Sequence, residues 1–548
     1  MIESAPSFDR LRDFAADIHV IGAGPVGLLT GLALAEKGFR VLILESGREK
    51  ADPAITALSE AESYDPDYHH RPDIASARRL GGTANLWGGR CLPFDPIDFT
   101  DRPWLGLGAW PISEADLAPH LASAIEGLGA GRPVFTEALA GVAADPAFAF
   151  ETLERWSNTP RTQAIHRAAL EGRADLLVAL GATALGFDYD EAGRIGAIDL
   201  HLEGAGRERL AASRVILAAG GNQGTRLLLA EQRRRPELFG GPEGPLGRFY
   251  MGHVNGSIAD IVFENRTLHD GLTYHVDANG SYVRRRITPS RGTQEAAGIG
   301  NVAFWPVVPP ILNPEHRSGP LSAVFLALTV GPLARKLIAE PMRLKHAGPP
   351  PYARGPHVMN VLRDLPATIG FAPAFLWKNR VAKMRLPGFF LTNPGRRYAL
   401  EYHSEHLPAA ESRLTLGEST DRLGLPRLVH ELRFSQADAA SVIAAHEALE
   451  GWLTRNALAR LDYYEPPERR AENVFAEAKH GTHQVGTTRM GFDRTSAVVD
   501  ADCRAFDVPN LFVVSTAVLP TSSQANPTLT AVQLGLRLAE HLAPRGGA

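Results

Sequence analysis

Ile18-His-Val-Ile-Gly-Ala-Gly-Pro-Val-Gly27, continuing through a helical run to Arg40-Val-Leu-Ile-Leu-Glu45, is the stretch that decides the fold. Ile18 to Ile21 reads as a short buried strand that runs directly into Gly22. From about Pro25 to Lys37 apolar residues recur at helical spacing (Val26, Leu29, Leu32, Ala33), and Gly38 stops the helix. A second buried strand, Arg40 to Glu45, follows at once. Strand, glycine turn, helix and strand form the unit of a doubly wound parallel sheet. In such a turn Gly22 permits the tight bend, Gly24 lets backbone approach a pyrophosphate, and Gly27 lets helix and strand pack closely. The helix N-terminus adds free N–H groups and the positive end of a dipole. Glu45 closes the second strand with Ser46 beside it, where a carboxylate meets ribose hydroxyls. The unit reads as a dinucleotide site.

Working outward, Arg214 to Gly221 is another buried strand, ending in Ala219 and Gly220, and Asn510 to Ser515 reads the same way. An amphipathic helix is expected from about Leu529 to His541. The nucleotide-binding part is therefore discontinuous, expected over 1–110, 205–255 and 471–548. The remainder, 111–204 and 256–470, is expected to form mainly a substrate-binding part. That part is more irregular and rich in proline, with strands at Ser281–Arg286 and Arg413–Leu416. The fold class is α/β, α+β overall: a Rossmann-like domain with a parallel sheet, plus a second domain built on an antiparallel sheet with helices.

FAD and NAD share the glycine fingerprint, so the rest of the chain must separate them. The glycines of Gly240–Gly247 have no strand before them, and no second dinucleotide turn follows a strand elsewhere. A hydride relay between NAD(P) and a flavin on two Rossmann domains is thus not expected. The loop Leu80–Arg90 offers backbone amides at Gly81 and Gly82, the Thr83 hydroxyl, the Asn85 amide and the Trp87 ring, which suits a flavin and its pyrophosphate.

Near the C-terminus stands His483-Gln-Val-Gly-Thr-Thr-Arg-Met-Gly491, followed by Asn526-Pro527-Thr528. Hydride leaves an alcohol carbon readily only if the hydroxyl proton is removed. Imidazole, with a reference pKa of about 6.5, suits that task. Asn526 can orient the alcohol oxygen without competing for its proton. His480 is a nearby competitor as base, and a turn-forming asparagine before proline is the plain alternative for Asn526.

These motifs together resemble the glucose-methanol-choline (GMC) oxidoreductase family over nearly the whole chain. The resemblance rests on Gly22–Gly27, Glu45, Gly81–Asn85, Trp110–Ser113 with Asp116-Leu117, Arg214–Gly221, His483–Gly491 and Asn526–Thr528. The wording is most similar to bacterial sugar and polyol dehydrogenase flavosubunits and to pyranose oxidases. The resemblance implies FAD, an alcohol carbon over the flavin N5, His483 as general base and Asn526 as holder of the substrate oxygen. Covalent FAD in some pyranose oxidases hangs on a histidine in the corresponding loop. Leu86 stands about there, so the expectation is non-covalent FAD. The expected reaction is oxidation of a sugar, glycoside or polyol to a carbonyl, with oxygen, a quinone or a cytochrome as electron acceptor. Two rivals remain: an alicyclic or lipid-like alcohol, with Gly300–Val307 and the residues around Phe325 lining its pocket, and a flavoprotein subunit relaying electrons at a membrane.

Composition bounds the rest. At 548 residues the chain is expected to hold more than one domain. A formal net charge of −4 gives no basic excess for nucleic acid. Cys91 and Cys503 make neither a disulfide framework nor a metal-ligand spacing, and no metal is expected. The first 17 residues lack the apolar core of a secretory signal, and Pro320–Ala334 falls short of a membrane span, so a cytoplasmic home is expected. One segment departs from this average. Residues 335–397 hold twelve Lys or Arg against Glu340 and Asp364, with aromatic residues interleaved. That segment is either a solvated or intersubunit face, or a peripheral membrane or anionic-partner patch.

Overall fold

The computed structural model describes residues 1–142, 145–330, 347–348, 350–380 and 391–543. One half is organised by a six-stranded, all-parallel sheet. Its order is Ile2–Ser4, Leu176–Leu180, Val41–Glu45, Ile18–Ile21, Val215–Leu217 and Leu511–Val513. The inner strands are buried along their whole length, as uninterrupted apolar runs must be when both faces of a sheet are covered. Chain order reverses beside Ile18–Ile21. Val41–Glu45 lies on one side of it and Val215–Leu217 on the other, so the Gly22 turn opens into the crevice of a topological switch point.

The helix Pro25–Glu36 leaves that turn with Gly24 as its N-cap. Against it lies the C-terminal helix Thr528–Leu542. The two approach so closely that a Cβ at Gly535 would collide with the Thr30 hydroxyl. This contact carries Asn526, Pro527 and Thr528 to the glycine turn from the far end of the chain.

One expectation is corrected here. Residues 111–204 do not lie as a block on the substrate side. Leu176–Leu180 is an inner strand of the parallel sheet, and the antiparallel meander Ala182–Tyr189, Ile195–Leu202, Gly206–Ala211 shares its core through Leu185, Ile198 and Leu200. The physical reason is the continuous apolar run Leu-Leu-Val-Ala-Leu, the pattern of a strand buried on both faces.

The second half is built on a four-stranded antiparallel sheet ordered Val302–Val307, Arg397–Glu405, His253–Phe263 and Ala459–Tyr463. Side chains alternate across it. Val254, Phe304, Leu400 and Tyr402 face a core shared with Trp452 and Leu449 of the helix Gln436–Arg455. The opposite face presents His253, Asn255, Ser257, Ala303, Trp305, Glu401 and His403, as the pairs Asn255–His403, Ser257–Glu401 and Trp305–Glu401 require. A smaller antiparallel sheet, His275–Val276, Tyr282–Arg285, Leu153–Trp156 and Arg90–Cys91, sets Arg90, Glu154, Trp156 and Arg284 on one face. Among the described residues no helix is long and apolar enough to cross a membrane.

Candidate active site

A single cavity of about 530 Å³ runs from the switch point to the C-terminal histidine. Of the residues expected to hold the cofactor, Gly22, Gly24, Glu45, Ser46, Gly82, Thr83, Trp87, Ala219, Gly220, Pro527 and Thr528 line it, and so do His483 and Asn526. Gly27, Gly81 and Asn85 do not line it but shape its walls. A Cβ at Gly27 would collide with the Gly22 carbonyl oxygen, so this glycine seats the helix on the turn. Gly81 has φ +86°, which an L side chain rarely adopts. Asn85 Nδ2 donates to the carbonyls of Leu80 (3.0 Å) and Gly82 (2.8 Å), and its Oδ1 accepts from Gln163, so this amide folds its own loop.

Glu45 has a double duty. Its carboxylate accepts from the backbone N–H of Ala23 and of Gly47, both at 2.8 Å, and so braces the turn it faces. Burial raises its pKa, and those two N–H groups oppose the rise. Ser46 Oγ lies 2.8 Å from Thr183 Oγ1 and accepts from Arg78 at 3.0 Å. Arg78, Thr183, Gln223 and Arg226 also line this end, and no motif had marked them. They come from a loop (Arg78), the strand Ala182–Tyr189 (Thr183) and the helix Gly221–Arg234 (Gln223 and Arg226), so only the folded chain brings them together.

At the other end His483 Nε2 lies 3.2 Å from Asn526 Nδ2. With the amide donating, Nε2 carries the lone pair and the neutral ring keeps its proton on Nδ1. Burial, reinforced by the Arg90 guanidinium, lowers the His483 pKa to about 3. The imidazole is therefore neutral at any ordinary pH, with its Nε2 lone pair unprotonated. His480, the rival base, does not line the cavity. It is buried behind His483, with Nδ1 3.5 Å from the His483 N–H.

The neighbours of His483 were missed in the sequence. His253 Nδ1 bonds the Ser523 carbonyl (3.1 Å), and His403 Nδ1 bonds the Gln524 carbonyl (2.6 Å). Each keeps its proton on Nδ1 and turns Nε2 inward. The loop that accepts them is the one that carries Asn526. It is tied down by Ser523 to Asp98 (2.5 Å) and Gln524 to Asp95 (2.7 Å). One ring nitrogen each of His253, His403 and His483 lies within 4.8 Å of the others, a spacing a metal ion could use. The Arg90 charge that opposes protonation of these rings opposes a cation equally. The signal for His253 and His403 was the period of two in His253-Val-Asn-Gly-Ser257 and Leu400-Glu-Tyr-His-Ser404, legible only once both are known to be strands.

Beyond His483 the packing is polar and aromatic, and of it Arg90 lines the cavity. The Arg90 and Arg284 guanidinium carbons sit 4.4 and 4.7 Å from the Trp305 ring, and both pair with the buried Glu154. Burial raises the Glu401 pKa to about 7. The apolar residues expected to line a lipid-like pocket are divided: Val302 and Phe304 face the sheet's core and Phe325 packs with Leu321 and Leu328, whereas Ala303 and Trp305 lie on the face that carries His403.

Residues 408–535 match the family model described as GMC oxidoreductase. Over 96% of its length the chain is 25% identical to 2-methyl-1,2-propanediol dehydrogenase of Mycolicibacterium austroafricanum, of which 95% is covered. The chain thus carries a C-terminal stretch that matches the GMC oxidoreductase model, and it is similar over nearly its whole length to enzymes named as dehydrogenases and oxidases. The enzyme is also 23% identical to paromamine 6'-oxidase of Streptomyces fradiae, over 97% of this chain and 92% of that protein. A shorter stretch of 62 residues, 11% of this chain and 12% of that protein, is 47% identical to C-glycoside 3-oxidase of Arthrobacter globiformis. The fold is similar to that of pyridoxine 4-oxidase from Mesorbium loti, with a TM-score of 0.53 and 17% identity, over 96% of this chain and 99% of that one. The names of these relatives support an alcohol oxidoreductase.

Proposed function

We propose that the enzyme holds one non-covalent FAD in this cavity and oxidises a polar, polyhydroxylated alcohol (a sugar, glycoside or polyol) to a carbonyl. The observation that carries the reading is the His483–Asn526 pair, 3.2 Å apart, in the same cavity as the Gly22 turn. The residues present suit the cofactor. A Cβ at Gly24 or Gly220 would meet nothing within 4 Å, so both glycines leave open space where each caps the N-terminus of a helix. That is an anion cradle for a pyrophosphate. Glu45 stands where ribose hydroxyls would lie, and Trp87 and Pro527 flank the far end. Leu86, at the cavity wall, has no nucleophilic atom for a bond to the ring.

Bound FAD supplies the acceptor for the hydride that leaves the alcohol carbon. His483 Nε2 takes the hydroxyl proton. The Asn526 N–H donates to the substrate oxygen and fixes the carbon's direction. Arg90 stabilises the negative charge that develops on that oxygen. His253 and His403, held by backbone carbonyls, fill the space behind His483 and keep water from it.

The polar face of the antiparallel sheet favours hydroxyl-rich substrates, because buried polar groups reject a partner that leaves them unpaired. The test is anaerobic addition of sugars, glycosides, polyols and sterols to the purified enzyme while its flavin colour is followed. Bleaching by hydroxyl-rich alcohols, with free flavin released on heat denaturation, is expected. Bleaching by sterols alone, or flavin that stays with the precipitated chain, would overturn the substrate class or the attachment respectively.

A further inference from the structure

Of the basic segment 335–397, positions 335–346, 349 and 381–390 lie outside the described residues. A separate cleft of about 560 Å³ lies wholly among the described residues. It opens where five loops far apart in the chain converge, at 106–111, 243–249, 408–410, 489–496 and 520–521. No residue lines both this cleft and the cavity of His483. Its volume falls within the roughly 300–1,000 Å³ of small-ligand pockets. Leu107, Pro245, Phe249, Pro408 and Phe492 make much of its lining apolar, and Phe492 stands 74% exposed.

One side chain in that lining is costly. The Arg489 guanidinium carbon sits 4.3 Å from the centroid of the Phe249 ring, and its Nη2 donates to the Pro520 carbonyl at 3.4 Å. Burial lowers its pKa, and among the described residues no carboxylate pairs with it. Elsewhere the buried guanidinium groups of Arg102, Arg155 and Arg226 each meet a largely buried carboxylate. A largely buried charge with no opposite charge beside it is expensive, and such costs concentrate at binding sites. Two further features belong to the same cleft. Phe249, whose ring backs the guanidinium, holds φ +60°, a region that a bulky side chain rarely enters. Thr521 lines the cleft as well, and its Oγ1 is buried without a hydrogen-bond partner. The second cation of the lining, Arg248, is already answered by Glu243 at 2.7 Å.

We propose that this cleft is a second ligand site, for a small organic acid. The carboxylate pairs with Arg489 and accepts from the Thr521 hydroxyl, and the apolar or aromatic body rests against Leu107, Pro245 and Phe492. The lining selects this class. A carboxylate has two oxygens for these two donors and carries an apolar body, whereas inorganic phosphate would leave further charged oxygens against apolar walls. A single unanswered guanidinium also matches one carboxylate, the partner its planar fork fits.

The experiment is titration calorimetry of the holoenzyme with benzoate, with hexanoate, and with benzamide, which keeps the shape of benzoate and lacks its charge. Binding of both acids is expected, with benzamide weaker by roughly tenfold or more. Arg489→Gln is expected to weaken benzoate binding by roughly tenfold or more. Phe492→Asp sets a negative charge at an exposed position of the lining, where the fold is not at stake. It is expected to weaken benzoate to a similar degree while alcohol-driven flavin reduction is unchanged. No binding of either acid would overturn the proposal, as would benzamide binding as tightly as benzoate. Full benzoate affinity in Phe492→Asp would place the acid outside this cleft and overturn it too.

Discussion

The two ends of the cavity were made in different ways. At the parallel sheet, the turn, the helix and the strand that end in Glu45 are contiguous, and Gly22 and Gly27 sit where a Cβ would strike backbone. At the other end, His253, Trp305, His403, His483 and Asn526 come from five separated segments and meet only because three antiparallel strands and two loops converge. The first end depends on close backbone approach, which tolerates no side chain. The second depends on buried polar side chains holding one another, which tolerates no unpaired partner. Substitutions should therefore fail differently at the two ends.

The largest expected effect is at the first end. Gly27→Val would drive its Cβ into the Gly22 carbonyl, with the Ala218 Cβ also close and no flexible group to yield. Overpacking of this kind costs about 1–3 kcal/mol or more. The variant should purify without flavin and with a lowered melting temperature, measured by absorbance and thermal scan. Full flavin content would break the contrast.

At the second end, Asn526→Ala removes a donor without a collision. The flavin should stay bound and the fold intact, while its reduction by substrate slows by roughly 10- to 100-fold, less than the about 10²–10³-fold of a full oxyanion donor. Rapid-mixing absorbance under anaerobic conditions reads it. A variant that loses flavin instead would mean that the two ends are not separable.

The smallest effect is on stability against pH. Burial holds His253, His403, His430 and His480 well below 6.5, and His483 at about 3. Each is depressed relative to the unfolded chain, which therefore binds more protons below 6.5. Their contribution is present above that pH and is lost as pH falls below it, by up to about 1.4 kcal/mol per pH unit for each. Asp98 and Glu401, both raised to about 7, act in the opposite sense between pH 7 and 4. The histidines outnumber them, so the melting temperature should fall from pH 6.5 to pH 5. A flat or rising profile would contradict the buried neutral cluster.

This contrast also explains what could be read from the chain. The glycine turn, the strands that flank it in the chain and Glu45 are local, and their spacing alone carried them. His483 and Asn526 were legible through their flanking wording, a resemblance rather than a physical pattern. Leu176–Leu180 was misplaced although its apolar run is plain, because a five-residue strand carries no mark of which sheet it joins. Trp305 and His403 could not have been read, since which face of a strand looks at the site is set by pairings such as Trp305 with Glu401. Asn85 and Glu45 show a further limit: sequence marked them for the cofactor, and folding also uses their polar atoms to shape loops.

The central claim is that His483, and not its buried neighbour His480, takes the proton. The direct measurement is the single-turnover rate of flavin reduction by a substrate alcohol in the His483→Ala and His480→Ala proteins, with flavin content checked for each. General-base assistance is worth about 10²–10⁴-fold, so His483→Ala should keep its flavin and lose at least that range, while His480→Ala loses far less. A crippled His480→Ala beside a normally reduced His483→Ala would contradict the account.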